Sequence, residues 1–397
     1  MDADVIIIGG GQAALATAYF LKRQKINFLI LDNQTQSGGA WQHAWDSLQL
    51  FSPNTWSSLS GWLMPKTEQE YPKRLEVIDY LTAYETRYQF PVLRPVQVEK
   101  VLKEGNDLIV CSAQQSWRAK AAVSATGTWS QPFIPAYTGR ERFLGTQIHS
   151  AHYRNANAFQ GKRVMIVGGG NSGAQILAEV SKVAETFWVT QQPPSFLADD
   201  VDGRVLFLRA TERLKAQQEG RSIEQPIGGL GDIVMIPSVK DARQRNVLHG
   251  LPPFDYLTEH SAVWADGREQ EIDAIIWCTG FKAALSHLQS LNVVNAQGTV
   301  DVLENRALQQ QNLWLVGYGD WTGAASATLI GVSRTGKSRN MLLEEHDRHI
   351  KDRLFRVVKI EAFVHLLDDL QAEGEIDAQS LSQIMVEKTK EINEAGN

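Results

Sequence analysis

The sequence predicts an α/β fold of two Rossmann-like dinucleotide-binding domains, with the second inserted into the first. Two glycine-rich turns in the same setting carry this expectation. They are Val5-Ile6-Ile7-Ile8-Gly9-Gly10-Gly11-Gln12-Ala13-Ala14 and Val164-Met165-Ile166-Val167-Gly168-Gly169-Gly170-Asn171-Ser172-Gly173. Each is an apolar strand, then G-x-G-x-x-G/A, then an alanine-rich amphipathic stretch. The spacing also matches. Asp32 and Gln191 each stand 23 positions after the first glycine of their unit, at the end of a second apolar strand. Two such units imply two bound dinucleotides, most simply one flavin and one nicotinamide.

In chain order, residues 4–32 make the first strand-helix-strand unit, and 37–65 a tryptophan-rich, turn-rich region. Residues 74–89 predict an amphipathic helix with Leu75, Ile78, Leu81 and Tyr84 or Tyr88 on one face. Strands are expected at about 96–102, 108–111 and 117–125. Three apolar runs end in small residues: Ala122-Val123-Ser124-Ala125-Thr126-Gly127, Ala274-Ile275-Ile276-Trp277-Cys278-Thr279-Gly280, and Leu313-Trp314-Leu315-Val316-Gly317-Tyr318-Gly319-Asp320. The expected domains are an FAD domain in two parts, 1–157 and 281–345, around an NAD(P)H domain at 158–280. A helix is expected within 330–345. A helical extension follows over 346–397, with Leu354, Val357, Val358, Phe363, Leu366 and Leu367 on its apolar side.

The glycines have distinct jobs. Gly9 and Gly168 allow the tight turn, Gly11 and Gly170 let the backbone approach a pyrophosphate, and Ala14 and Gly173 allow close helix–strand packing. The amides and dipole at each helix start then hold phosphate. Asp32 is placed to accept both ribose hydroxyls of an adenosine, as an FAD site requires. At the second unit, Thr190-Gln191-Gln192 offers neither an acid to repel a 2′-phosphate nor an arginine to grip one. Weak discrimination between NADH and NADPH is expected, unless Arg204 or another distant base selects.

With 39 Lys and Arg against 45 Asp and Glu, the net charge is −6, and no basic run supports nucleic-acid binding. No apolar run approaches the ~20 residues that span a membrane. The chain enters its first strand at Asp4, so a cytoplasmic protein without a signal peptide is expected. Cys111 and Cys278 form no C-x-x-C, which argues against a dithiol centre of the disulfide-reductase kind.

Between the two fingerprints stands Phe143-Leu144-Gly145-Thr146-Gln147-Ile148-His149-Ser150-Ala151-His152-Tyr153, or F-x-G-x-x-x-H-x-x-x-Y. This resembles the signature of class B flavin monooxygenases, and Tyr153 resembles the flavin-containing branch more than the Baeyer–Villiger branch. Ala125-Thr126-Gly127, Cys278-Thr279-Gly280 and Gly38-Gly39-Ala40-Trp41 fit the same family. The resemblance runs to about residue 340. It is nearest to small bacterial flavin-containing monooxygenases that use NADH as well as NADPH.

The resemblance implies that reduced nicotinamide passes hydride to FAD, and that reduced FAD binds O₂ as a C4a-hydroperoxide. Its distal oxygen then goes to a small sulfide or amine, with Baeyer–Villiger oxidation of ketones also open. It places FAD on Gly9, Gly11, Gln12, Ala14, Asp32, Gly39, Ala40, Trp41, Val98, Thr126 and Gly127. Asp320 is either a ribityl-facing residue or a turn residue. NADPH or NADH falls to Gly168, Gly170, Asn171, Ser172, Gly173, Gln191 and Gln192. On the substrate side, Trp41, Trp45, Phe51, Asn54, Trp56 and Trp62 crowd one stretch. Phe51 and Asn54 are the candidate catalytic residues, Asn54 as a donor to the oxygenated flavin. His149 is expected to link the domains. A homodimer is expected. Two other classes stay open: an NAD(P)H oxidase or flavin reductase releasing hydrogen peroxide, and a non-catalytic redox-sensing module.

Overall fold

The computed structural model describes residues 2–219, 221, 232–329 and 331–332. Almost all of the helix expected within 330–345, and all of the extension over 346–397, lie outside these residues.

The first fingerprint folds as the sequence dictates. Ala3–Ile8 is a strand of fully apolar side chains from Val5 onward, and Gln12–Arg23 is the helix behind it. Phe28–Leu31 returns parallel to the first strand, with Val5 opposite Phe28 and Ile8 opposite Leu31. A run buried on both faces cannot alternate, which is why it reads as continuous Val and Ile. The sheet continues parallel through Ser116–Ser124 and Leu313–Leu315 on one side and Val92–Leu93 on the other. Val98–Glu104 and Asp107–Ser112 add an antiparallel hairpin to Ser116–Ser124. The chain thus leaves this sheet after residue 124 and rejoins it at 302–315, its remaining strands being Val302–Leu303 and Arg306–Ala307.

The second fingerprint builds its own parallel sheet, ordered Gly250–Leu251, Glu185–Val189, Arg163–Val167, Ala274–Trp277, Thr146–His149. Its edge strand, Thr146–His149, precedes position 158 and carries the middle of the F-x-G-x-x-x-H-x-x-x-Y run. A three-stranded meander, Tyr256–Leu257, Ser261–Val263 and Glu269–Glu271, packs beside it.

One expected face is corrected. The helix Arg74–Arg87 buries Val77, Tyr80, Leu81 and Tyr84, whereas Leu75 is 62% exposed. Spacings of three and four from Val77 define the stripe, and the tyrosines belong to it because their rings pack while their hydroxyls find partners. Tyr80 OH donates to Trp62 O at 2.6 Å and accepts from Leu59 N, and Tyr84 OH donates to Ser60 O.

Candidate functional site

At the carboxyl ends of the first sheet's parallel strands lies a cleft of ≈ 540 Å³. The site sits there because strands 3–8, 28–31 and 116–124 all deliver their next residues to that edge: Gly9–Gln12, Asp32–Gln34 and Ala125–Gln131. Turn residues Gly39, Ala40, Trp41 and His43, strand-entry residues Val96–Val98, and Ala284, His287, Gly317 and Ala327 are also among the lining.

The glycines are enforced by contact. Gly9 has φ +104°, and a Cβ there would stand 2.6 Å from Ala125 O. A Cβ on Gly39, with φ +54°, would stand 2.6 Å from Gly11 Cα. Gly11 caps the helix Gln12–Arg23 with no side-chain hydrogen bond, and no acid occupies its first turn. The first amides of that helix are therefore free to bind an anion. This cradle fits a dinucleotide pyrophosphate.

Two arginines hold the turn over the cradle. Arg74 donates to Trp41 O at 2.9 Å and Gln42 O at 2.7 Å. Arg154 donates to His43 O and Ala44 O. Burial, then Arg154 and Arg74, hold the His43 imidazole below its ordinary pKa. Gln12 ties the cleft's sides together, accepting from Trp41 Nε1 at 3.0 Å and donating to Ala327 O at 2.8 Å.

A buried polar cluster stands behind Thr126 and His287 of the lining. His287 Nε2 meets Ser124 Oγ at 2.9 Å, and Tyr318 OH meets Ser124 Oγ and Thr126 Oγ1. Thr126 Oγ1 also pairs with Ala284 O at 2.7 Å. Burial drives the His287 pKa down to about 4.

Of the residues expected to hold FAD, Gly9, Gly11, Gln12, Asp32, Gly39, Ala40, Trp41, Val98, Thr126 and Gly127 line this one cleft. Ala14 does not; it is fully buried in the core, consistent with a packing role. Asp320 is exposed at the start of a short turn outside the lining, whereas Gly317 lines the cleft. Phe51 and Asn54 also lie outside the lining. Phe51 packs on the second core, and Asn54 Nδ2 donates to Pro65 O at 3.1 Å. The tryptophans of this stretch scatter: Trp45 is in the second core, Trp62 packs on the first, Trp56 is exposed, and of these four only Trp41 lines the cleft.

Sequence reasoning missed Gly10, Gln34, His43 and His287, which line the cleft, and Tyr318, which bonds Ser124 and Thr126 beside it. Gly10 was visible as the middle of three glycines. A Cβ there would fall 2.2 Å from Asp32 Oδ2.

The second fingerprint repeats the design. A Cβ on Gly168 would meet Cys278 O at 2.2 Å, and one on Gly173 would meet Gly168 O at 2.1 Å. Gly170 caps the helix Asn171–Val180 with no side-chain bond and no acid in its first turn. Asn171 is already engaged, donating to Asp232 O and accepting from Val234 N, each at 2.9 Å. Ser172 is half-buried, whereas Gln191 and Gln192 are exposed. Arg204 is paired with Asp202, and Arg209 with Asp232.

Of the F-x-G-x-x-x-H-x-x-x-Y run, Phe143, His149 and Tyr153 are buried framework, and Gly145 is half-buried. A Cβ on Gly145 would meet the Phe143 ring and Asp273 O. His149 is 2% exposed, accepts from Ala151 N at Nδ1, and stacks edge-on to Phe281. Its pKa is lowered by burial, against an opposing pull from the Gly280 backbone. Phe281 in turn stacks on Trp129 of the cleft lining.

Among the described residues no cluster of His, Cys, Asp or Glu is arranged to hold a metal, and no helix is long and apolar enough to cross a membrane.

Residues 6–223 match the family model for pyridine nucleotide-disulphide oxidoreductases. The flavin-containing monooxygenase from Stenotrophomonas maltophilia is 50% identical, with a TM-score of 0.79 over 88% of this chain and 99% of that one. A doubly substituted flavin monooxygenase from the same organism is 52% identical, with a TM-score of 0.78 over 85% and 96%. An uncharacterized CzcO-like oxidoreductase of Geobacillus kaustophilus is 28% identical over 83% of this chain and 94% of its own length. With two fingerprints, a cleft shaped for a dinucleotide and these relatives, the chain belongs to the pyridine nucleotide-disulphide oxidoreductase family and, within it, is a class B flavin-dependent monooxygenase that uses FAD and NADPH.

Proposed function

We propose that the enzyme oxygenates small sulfides or amines, with ketone oxidation as a secondary activity, and that it accepts NADH as well as NADPH. The carrying observation is the cleft formed by the first fingerprint beside a second, separately folded fingerprint. FAD would lie on Gly9–Gln12, Asp32 and the Gly39–Trp41 turn, the nicotinamide dinucleotide on Gly168–Gly173. Bound FAD would supply the hydride-accepting and oxygen-activating chemistry. The chain's part is to hold the two dinucleotides, fix their orientation and keep water from the reacting atoms.

The cysteines favour oxygen chemistry over disulfide reduction. Cys111 and Cys278 are both free; Cys111 lies in Asp107–Ser112 of the first sheet, and Cys278 directly follows Ala274–Trp277 of the second. Burial pushes the Cys278 thiol up to about 12, so it does not supply the thiolate that exchange requires. The NADH proposal rests on exposed Gln191 and Gln192 at the strand end where an acid or arginine would select.

The test is coupling. NADPH consumption by the FAD-loaded enzyme is followed in air with a simple thioether present. Sulfoxide formed in near-stoichiometric yield supports the proposal. Stoichiometric hydrogen peroxide without sulfoxide supports an oxidase, and the absence of NADPH turnover supports a redox-sensing module.

A further inference from the structure

The Asp32 carboxylate is already held. Arg94 Nε donates to Asp32 Oδ2 at 2.6 Å, while its two terminal nitrogens donate to both oxygens of Glu85 at 2.6 and 2.7 Å. The three side chains are only 3% (Asp32), 13% (Arg94) and 17% (Glu85) exposed, so these bonds are poorly screened. Gly10 packs against Oδ2, and Gln34 N approaches Oδ1 at 3.3 Å. Oδ2 is thus enclosed by Arg94 and Gly10, leaving Oδ1, beside Gln34, as the less occupied oxygen. Asp32 and Gln34 both line the cleft.

Three carriers of charge meet here, two carboxylates and one guanidinium, so one negative charge is in excess. An arginine next to a ribose site would ordinarily attract a phosphate. Here Glu85 occupies both terminal nitrogens of that guanidinium.

We propose that Arg94 is a positioning residue that fixes Asp32 for the 2′-hydroxyl of the adenosine ribose, and that Glu85 denies Arg94 to a 2′-phosphate. The cluster thereby selects FAD over a 2′-phosphorylated dinucleotide at the first site. This rests on the first fingerprint being the FAD site. Lysine at position 94 would keep the charge but lose the planar fork that spans Asp32 and Glu85.

The experiment uses protein stripped of FAD and titrated, by fluorescence, with FAD and with its 2′-deoxyadenosine analogue. The wild type is expected to prefer FAD by roughly tenfold, the scale of one hydrogen bond to a charged group. Arg94→Lys should reduce that preference below about threefold at an unchanged melting temperature. A purely structural role would weaken both ligands equally and keep the ratio, which would overturn the proposal. Glu85→Gln is read separately by how strongly 2′,5′-ADP displaces FAD from the first site. A severalfold gain supports the proposal, no gain overturns it, and this arm decides if the lysine variant does not fold. Asp32→Asn separates the two levels. If it leaves FAD affinity unchanged, the FAD assignment of the cleft fails and the proposal falls with it. If it weakens FAD while the Arg94 and Glu85 arms are silent, only the proposal fails.

Discussion

Gly10 sits directly against the carboxylate of Asp32: a Cβ added to the glycine would lie 2.2 Å from Oδ2 and 2.4 Å from Cγ. The fingerprint's middle residue is therefore fixed by the strand end that closes the unit. Gly10→Ala forces the carboxylate off Arg94 or displaces the turn. Overpacking of this kind costs about 1–3 kcal/mol. The melting temperature should fall, and FAD should bind at least ~10-fold more weakly by titration of the stripped protein. An unaltered dissociation constant would show that Asp32 does not set the FAD site.

His287 gives a pH dependence with a definite sign. Its ordinary pKa of 6.5 falls to about 4 in the buried cluster with Ser124. Between those values the unfolded chain holds a proton that the folded chain does not. Stability should therefore drop as pH falls from about 6.5, by up to about 3 kcal/mol, and level off below about 4. The half-buried His43 and the buried His149 shift in the same direction and add to the slope. Urea unfolding of FAD-loaded wild type and His287→Gln isolates the term by difference. Parallel stability curves for the two proteins across this window would refute it.

The backbone of this account was legible in the sequence for a physical reason. Gly9 and Gly11, like Gly168, Gly170 and Gly173, fall within one turn and helix start, so their spacing is local, even though the atoms that crowd Gly9 and Gly168, Ala125 O and Cys278 O, come from distant strand ends. Arg94 was not legible, because it reaches Asp32 from 62 positions away and no local pattern marks it. His287, Tyr318 and Ser124 likewise meet only when three separate chain segments converge. Leu75 misled through hydrophobicity alone, since the helix turns its tyrosines inward, where loop carbonyls accept their hydroxyls. The role of Asn54 as a donor to the oxygenated flavin is implied by resemblance, not by a local pattern, and here the Asn54–Trp56 turn directs Asn54 to Pro65 O.

Selectivity for the reduced nicotinamide should respond to Gln192. It is exposed, and the arginines Arg204 and Arg209 are paired with Asp202 and Asp232. Gln192→Arg offers a guanidinium for a 2′-phosphate. The ratio of kcat/KM for NADPH to that for NADH should rise about tenfold, the scale of one partly screened charge-assisted bond. If steady-state assays show the ratio fixed, position 192 is not at the phosphate end of the site.

Asn171 separates holding the fold from holding the nicotinamide dinucleotide. It is the first residue of the helix Asn171–Val180, and its amide pins Asp232 O and Val234 N. Asn171→Ala orphans both partners, so a loss of about 1–3 kcal/mol is expected. Asn171→Asp keeps an acceptor for Val234 N and places an acid where the helix dipole favours one, which recovers part of the stability. It also sets a negative charge where the pyrophosphate should lie, so the KM for NADPH should rise well above that of the alanine variant. FAD content should remain full in both. The discriminating measurement is KM set against melting temperature. If KM tracks stability alone across the two variants, Asn171 acts only as a staple for the 232–234 segment. If the aspartate variant is the more stable and yet the weaker NADPH binder, the start of this helix is where the second pyrophosphate binds.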